Sequence, residues 1–314
     1  MKKYDVLDIG VIVADLPVKL PVDVLDFQTD TIRVPSLDFI PGGDAANSAI
    51  VLAQLGKKTA LLGALGNDGT GNLVRGNIAS RGVDTRYVRM KEGVVTSVSI
   101  VMVNSGGDRT FICTRGNNQT LCAQDLDFGL IGETRHINLS SLFAHPLFEK
   151  EGGPEFFESA KNAGVTISAD AGHDNYHTGF SGVERLLQFI DIFMPSYTEA
   201  KYMTGETDPA RMAKFIMDRT GEKTVVIKLG GQGCYVRHKG KGFTVPAFRT
   251  EVVDTAGAGD NFVAGFVSAY LDGLPVRDCA RFACAAAAVS VGYLGATSPN
   301  TSLANIQKLM NSGS

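Results

Sequence analysis

Six short runs of apolar, often β-branched residues recur along the chain, at 6–11, 59–65, 136–142, 165–170, 190–195 and 224–229. They are nearly continuous in hydrophobicity and do not alternate, which is the pattern of strands covered on both faces of a parallel sheet. Parallel neighbours need a crossover between them. The intervening sequence supplies helical stretches at 45–55, 154–163 and 209–220. Gly56, Gly164 and Gly221 stand just past these helices, at the left-handed position that glycine adopts at least cost. Repeated β-α units predict an α/β fold: a doubly wound, mostly parallel sheet with helices on both faces and right-handed crossovers.

Two regions break this rhythm. Residues 15–40 form a Pro-punctuated extended stretch. Residues 94–104 and 109–114 read as a hairpin turning at Ser105-Gly106-Gly107-Asp108. Together, about 15–40 and 94–116 predict a small β lid or dimer sheet beside the main core. The other reading is an edge hairpin of the main sheet. No repeat or linker divides the chain, so the expectation is a single domain over 1–314. An exposed sheet edge tends to be covered, which predicts a homodimer through the lid.

Charge and special residues bound the partners. With 30 basic against 33 acidic residues the net charge is −3, and no basic stripe marks a nucleic-acid or membrane surface. Cys113, Cys122, Cys234, Cys279 and Cys284 are odd in number and contain no C-x-x-C pair. Reduced, buried thiols are expected in place of disulfides or a thiolate zinc site. After Met1-Lys2-Lys3-Tyr4, Asp5 and Asp8 interrupt the apolar stretch, unlike a secretory leader. The apolar run 283–291 is too short to span a bilayer, so a cytoplasmic location is expected. His136, His145, His173, His177 and His238 lack metal-ligand spacing. His173 and His177 fit a surface or substrate-gate role.

Glycine is the compositional outlier, at 36 residues without a Gly-X-Y period. Its most informative cluster is Asp254-Thr255-Ala256-Gly257-Ala258-Gly259-Asp260, after a candidate strand at 251–253. An amphipathic helix follows, with Phe262, Val263, Phe266, Val267, Tyr270 and Leu271 on one face. A small-residue turn feeding a helix N-terminus offers free N–H groups and a positive dipole end to an anion. Asp260 then has two readings. It caps the helix, or it takes a proton from a hydroxyl that attacks a phosphate. A second glycine turn, Gly42-Gly43, precedes the 45–55 helix. Asn47 in that helix either caps the backbone or presents an amide to a sugar diol. Asp15 lies five residues beyond Gly10, past the carboxyl end of the first strand, where α/β sheets bind ligands.

The 254–260 segment resembles the second signature of the PfkB/ribokinase family of carbohydrate kinases. Gly42-Gly43-Asp44-Ala45-Ala46-Asn47-Ser48-Ala49, Leu55-Gly56, Gly63, Gly66, Asp68 and Gly69 resemble the first, and about 210 residues separate the two. The resemblance runs from the first strand to Gly295. It implies a ribokinase-like fold and transfer of the γ-phosphoryl group of ATP to a hydroxyl of a small sugar of the ribose, fructose or 2-keto-3-deoxygluconate type. Asp260 is then the general base, and Gly257, Ala258 and Gly259 neutralise the transferring phosphoryl group. Asp15, Gly42, Gly43 and Asn47 contact the sugar, with Arg115 or Arg109 closing from the lid.

The same resemblance places the nucleotide. Residues 225–233, ending Lys228-Leu229-Gly230-Gly231-Gln232-Gly233, resemble the family's adenine-nucleotide strand, so Lys228, Gly230, Gly233 and Ala256 are cofactor-side residues. Most relatives carry threonine at Lys228, and a lysine is similar to ketodeoxygluconate-kinase-like members. The alternative is a surface lysine at a strand end. Pro195-Ser196-Tyr197-Thr198-Glu199 resembles the N-x-x-E motif with serine for asparagine, implying that Glu199 organises Mg²⁺ through water. Its alternative is an acid in a helix first turn. Asp254, with carbonyls near Ala256 and at 288–295, matches the region where many relatives bind a monovalent cation such as K⁺. Rival readings are a nucleoside kinase with Phe39, Tyr87 and Phe111 as aromatic platform, and a non-catalytic sugar-binding protein. A nicotinamide oxidoreductase lacks its G-x-G-x-x-G after the first strand.

Overall fold

The computed structural model describes residues 2–105 and 109–312. In chain order the strands are β1 Tyr4–Ile9, β2 Val13–Lys19, β3 Ile40–Gly42, β4 Thr59–Gly66, β5 Val88–Lys91, β6 Val98–Val103, β7 Arg109–Cys113, β8 Thr134–Leu142, β9 Thr166–Ala171, β10 Ile192–Phe193, β11 Thr224–Lys228, β12 Cys234–His238 and β13 Lys241–Val245. The α-helices are α1 Asp44–Gln54, α2 Gly69–Ser80, α3 Gly129–Glu133, α4 Pro146–Lys150, α5 Gly153–Asn162, α6 Gly179–Leu187, α7 Tyr197–Thr204, α8 Pro209–Thr220, α9 Ala258–Leu271, α10 Val276–Val291 and α11 Leu303–Asn311.

The main sheet runs β13-β12-β11-β10-β9-β8-β1-β4-β5. It is parallel from β5 to β11 and ends in the antiparallel strands β12 and β13. All six apolar runs contribute a strand to it, although 190–195 yields only Ile192–Phe193. Side-chain alternation sorts the two cores. Val6, Ile192 and Val226 pack with Leu52, Phe266 and Ala283 of α1, α9 and α10. Their neighbours Leu7, Phe193 and Val225 pack with Phe156, Leu186 and Met212 of α5, α6 and α8. Both faces are covered, which is why the runs are continuously apolar. Burying a single Phe or Leu in such a core contributes about 1.5–3 kcal/mol.

The hairpin belongs to a second sheet of order β3-β2-β6-β7. β6 pairs with β2 in parallel, and β7 pairs back on β6. Its attachment to β2 replaces the reading as an edge hairpin of the main sheet. Of the expected turn, 106–108 lie outside the described residues. Within 15–40, only the stretch to Lys19 and the start of β3 are strands.

Two expectations are corrected. Residues 251–253 form no strand. Val253 N donates to Val291 O at the end of α10, and both Val252 and Val253 are exposed; among the described residues neither pairs with a strand. The thiols are all free, but only Cys234, Cys279 and Cys284 are buried. Cys113 sits on the exposed lid strand and Cys122 is partly exposed.

Candidate active site

Two glycine-led helix N-termini meet beyond the carboxyl ends of the central strands. Gly257 precedes α9 with φ +69°, and a Cβ there would collide with Ala296. Asn261 locks this turn by donating from Nδ2 to Gly257 O and Ala296 O, both at 2.8 Å. Gly43 precedes α1 with φ +90°. Asn47, in the first turns of α1, donates from Nδ2 to Asp260 Oδ2 at 2.7 Å. Both residues are buried. Residues 213 positions apart are thus joined at the two turns that the glycines open.

Three further groups converge there. Ser141 has φ +60° at the end of β8, its hydroxyl donates to Asp44, and its N–H donates to Asp170 Oδ1 at 2.8 Å. Asp170, near the end of β9, faces Lys228 at the end of β11, with Oδ2–Nζ 3.5 Å. The Lys228 ammonium also borders the Gly257–Gly259 turn, the expected phosphate turn, since a Cβ on Gly259 would lie 3.5 Å from it. Lys228 is therefore not the surface lysine of the alternative reading: its side chain is only 14% exposed, because β11 ends inside the cleft.

Electrostatics follow from this crowding. Burial, then the charges of Asp44 and Asp170, hold the Asp260 carboxyl well above its ordinary range, against the pull of Asn47 and Lys228. Asp170 is raised by burial and by Asp44 and Glu199, although Lys228 opposes the shift. Burial works against the Lys228 charge, yet Asp170, Glu199, Asp260 and Asp44 outweigh it and hold the ammonium above its usual value. Asp15, on β2, is pushed up to about 6 by burial and by the Asp44 charge. Its carboxylate lies so close to Gly42 that a Cβ there would overlap it. A deeper carboxyl, Asp8 of β1, is pushed up to about 8, chiefly by burial. It accepts from Ser48, Asn138 and Ser140 beneath the site.

On the other side of the phosphate turn a cavity of about 640 Å³ opens. Lys228, Gly230, Gly233, Ala258 and Gly259 line its polar end, and Phe248, Phe262, Ala288 and Val291 its apolar walls. Its size and composition suit a nucleotide. Ala256 serves the turn itself, donating from N to Asp254 Oδ1 at 2.8 Å.

Other expected residues have defined local roles. Glu199 forms a capping box with Ser196: Ser196 N donates to Glu199 Oε2 at 2.7 Å, and Glu199 N donates to Ser196 Oγ at 3.3 Å. This is the helix-acid reading, yet the same carboxylate acts electrostatically on Asp170 and Lys228. Asp254 accepts from Ala256 N and Gly295 N and ties the two loops together. Arg115 is exposed, and its side chain makes no hydrogen bond or ion pair among the described residues; it lies within electrostatic range of Tyr176. The side chain of Arg109 lies outside the described residues. Tyr87 is no lid platform: it stacks edge-on against Tyr4 at the opposite end of β1.

Asp170 and Ser141 are the cleft residues that motif reading passed over, and Asp44 carried no role in it. Asp170 and Ser141 end apolar runs, so the rule that ligands bind beyond carboxyl strand ends points at both.

The buried carboxylate at a helix N-terminus, the glycine turn and the adjoining cavity are the arrangement expected of a kinase that phosphorylates a hydroxyl group of a carbohydrate. The family described as pfkB family carbohydrate kinase matches residues 8–303, and the chain belongs to it. A ribokinase from Haemophilus influenzae is 30% identical over 82% of this chain and 83% of its own length. Arabidopsis thaliana ribokinase, solved with ribose and ATP, superposes with a TM-score of 0.80 at 27% identity, covering 98% of both chains. An E. coli protein described as ribokinase II, solved with ATP and Mg²⁺, gives a TM-score of 0.84 at 22% identity, covering 98% of this chain and 99% of that one. The ribokinase fold is thereby shown. No helix among the described residues is long and apolar enough to cross a membrane.

Proposed function

We propose that this chain transfers the γ-phosphoryl group of ATP to a hydroxyl of a small sugar, with Asp260 as general base. The observation that carries this is the buried Asp260 carboxylate, held at 2.7 Å by Asn47 beside the Gly257–Gly259 turn. A carboxyl raised by burial is a stronger base once ionised, which favours taking a proton in the transition state. Asp260 removes the hydroxyl proton as the new O–P bond forms and the bond to the ADP oxygen breaks. Backbone N–H groups at the start of α9 and the Lys228 ammonium stabilise charge on the transferring group. Asp15, Gly42, Gly43 and Asn47 hold the sugar, and Arg115 closes over it from the lid. Gly230 and Gly233 border the base and ribose of the nucleotide.

The donor set also fits Mg²⁺: the Glu199 and Asp170 carboxylates offer hard oxygen atoms and both act electrostatically on Lys228, which lines the cavity. Bound through water by Glu199, Mg²⁺ supplies charge neutralisation on the phosphates. K⁺ would sit among carbonyls of 256 and 288–295, with Asp254 holding the two loops in register. The chain works as one ribokinase-like unit with its β lid, in the cytoplasm, and pairs with a second copy through the lid. Phe111 and Ile112 on β7, both more than half exposed, support that pairing. Sedimentation showing only monomer would remove it.

The test is ADP release from ATP with ribose, fructose and a nucleoside as acceptors, in wild type and in Asp260→Asn. The reading predicts acceptor-dependent turnover that Asp260→Asn cuts by about 10²–10⁴ while sugar binding persists. Turnover equal to wild type in that variant would sink it. Sugar binding without turnover in either protein would support the non-catalytic reading.

A further inference from the structure

Resting on the kinase reading, the acceptor side allows a narrower statement about what is phosphorylated. Its inward groups are nearly all hydrogen-bond acceptors. Asn47 Nδ2 is committed to Asp260, which leaves Asn47 Oδ1 buried without a donor. The Asp15 carboxylate, half-buried beside Gly42, also receives no hydrogen bond among the described residues. Asp44 receives the Ser141 hydroxyl and acts electrostatically on Asp15, Asp260, Asp170 and Lys228, which puts it at the centre of the group. The cation that faces this group, Lys228, is committed to Asp170 and to the phosphate turn. Arg115, proposed above to close from the lid over the sugar hydroxyls, stands exposed beside Tyr176 and pairs with none of Asp15, Asp44 and Asn47 among the described residues.

A buried acceptor without a donor costs free energy until a ligand supplies one. Sugar hydroxyls supply such donors. A phosphate or carboxylate on the acceptor supplies none and brings a like charge towards Asp15 and Asp44. We infer that Asp15, Asp44 and Asn47 Oδ1 select an uncharged polyhydroxyl sugar and reject phosphorylated sugars and sugar acids. Among the acceptor types of this family, the 2-keto-3-deoxygluconate type is thereby set aside for the ribose and fructose types. Asp44 is the specificity-determining residue in this account.

The experiment compares ribose, fructose, fructose 6-phosphate and 2-keto-3-deoxygluconate with the full chain. Two readouts are taken: kcat/KM from ADP release, and binding by calorimetry without ATP. The better neutral sugar should exceed either anionic acceptor by at least about 100-fold, the order imposed by one like-charge contact in a protein-like dielectric. Asp44→Lys should narrow that ratio at least tenfold by raising the anionic acceptors, and Asp44→Asn should narrow it less. A thermal melt of each variant confirms folding. An anionic acceptor matching or surpassing both neutral sugars would overturn the inference, as would a ratio unchanged in folded Asp44→Lys. Neutral sugars that bind selectively without any ADP release would instead sink the kinase reading and leave the charge selection standing.

Discussion

The two sides of the phosphate turn are built from opposite materials. On one side the cavity proposed for the nucleotide is walled largely by apolar groups such as Phe248, Phe262, Ala288 and Val291, with Lys228 and Gly259 at one end and Arg249 and Thr250 also in its lining. On the other, Asp15, Asp44, Asn47 and Asp260 crowd together on the side proposed for the sugar. In the proposed function the first side would hold its ligand by shape, apolar area and backbone amides, and the second by acceptors that need donors. In the proposed mechanism, transfer occurs on the line between them, with the Gly257–Gly259 turn and Lys228 as the source of positive charge and Asp260 as the base.

Asp260→Asn is expected to break the acceptor side most severely. Turnover should fall by about 10²–10⁴, the span of general-base catalysis. Calorimetric sugar binding should change only a few-fold, because Asn47 keeps a partner. A parallel loss of binding would mean that Asp260 is structural.

Next in size is the boundary pair. Lys228→Met leaves the buried Asp170 without its ammonium, which should cost about 3–5 kcal/mol of stability in a denaturant melt. Adding Asp170→Asn should recover most of that loss without restoring ATP turnover. If the single variant is as stable as wild type, the pair is not the tie between the two sides.

Ala288→Phe sharpens the contrast from the apolar side. Filling the cavity should raise the KM for ATP about tenfold, roughly 1.4 kcal/mol, and leave sugar binding unchanged. A matching change in sugar affinity would show that the two sides are one coupled pocket.

The smallest effect is on stability against pH. Asp15 and Asp8 have folded values of about 6 and 8, above the ordinary carboxylate value. Between those limits the folded chain binds more protons than the unfolded one, so stability falls as pH rises. Their contribution is fully present below about pH 4 and is lost as pH passes 6 for Asp15 and 8 for Asp8. The Tm should drop by about 2–4 °C for each kcal/mol lost, and Asp8→Asn should flatten the upper part of the slope. A slope that steepens in Asp8→Asn would refute the assignment.

Local sequence carried a large part of this. The continuous apolar runs dictated strands covered on both faces, and their neighbours Gly56, Gly164 and Gly221 adopt φ of +83°, +73° and +85° at the helix ends. The Asp254–Asp260 string announced a turn, a helix N-terminus and an acid within seven positions. Each signal lives within a few residues, so it survives without knowledge of the rest of the chain. One local reading failed and one alternative fell for the same reason. Val252 and Val253 have strand-like side chains but belong to no strand among the described residues, and Lys228, read as a cofactor-side residue with a surface lysine as the alternative, lies on a strand that ends in a cleft.

Only the tertiary structure decided which residues share the site. Asp44, Ser141, Asp170, Lys228 and Asp260 come from five separate elements, and no spacing links them. Strand order and parallel crossovers bring the ends of β8, β9 and β11 to the same edge of the sheet as the starts of α1 and α9. The raised carboxyls of Asp15, Asp170 and Asp260 arise from that convergence, because burial and mutual repulsion depend on distance through space and not along the chain.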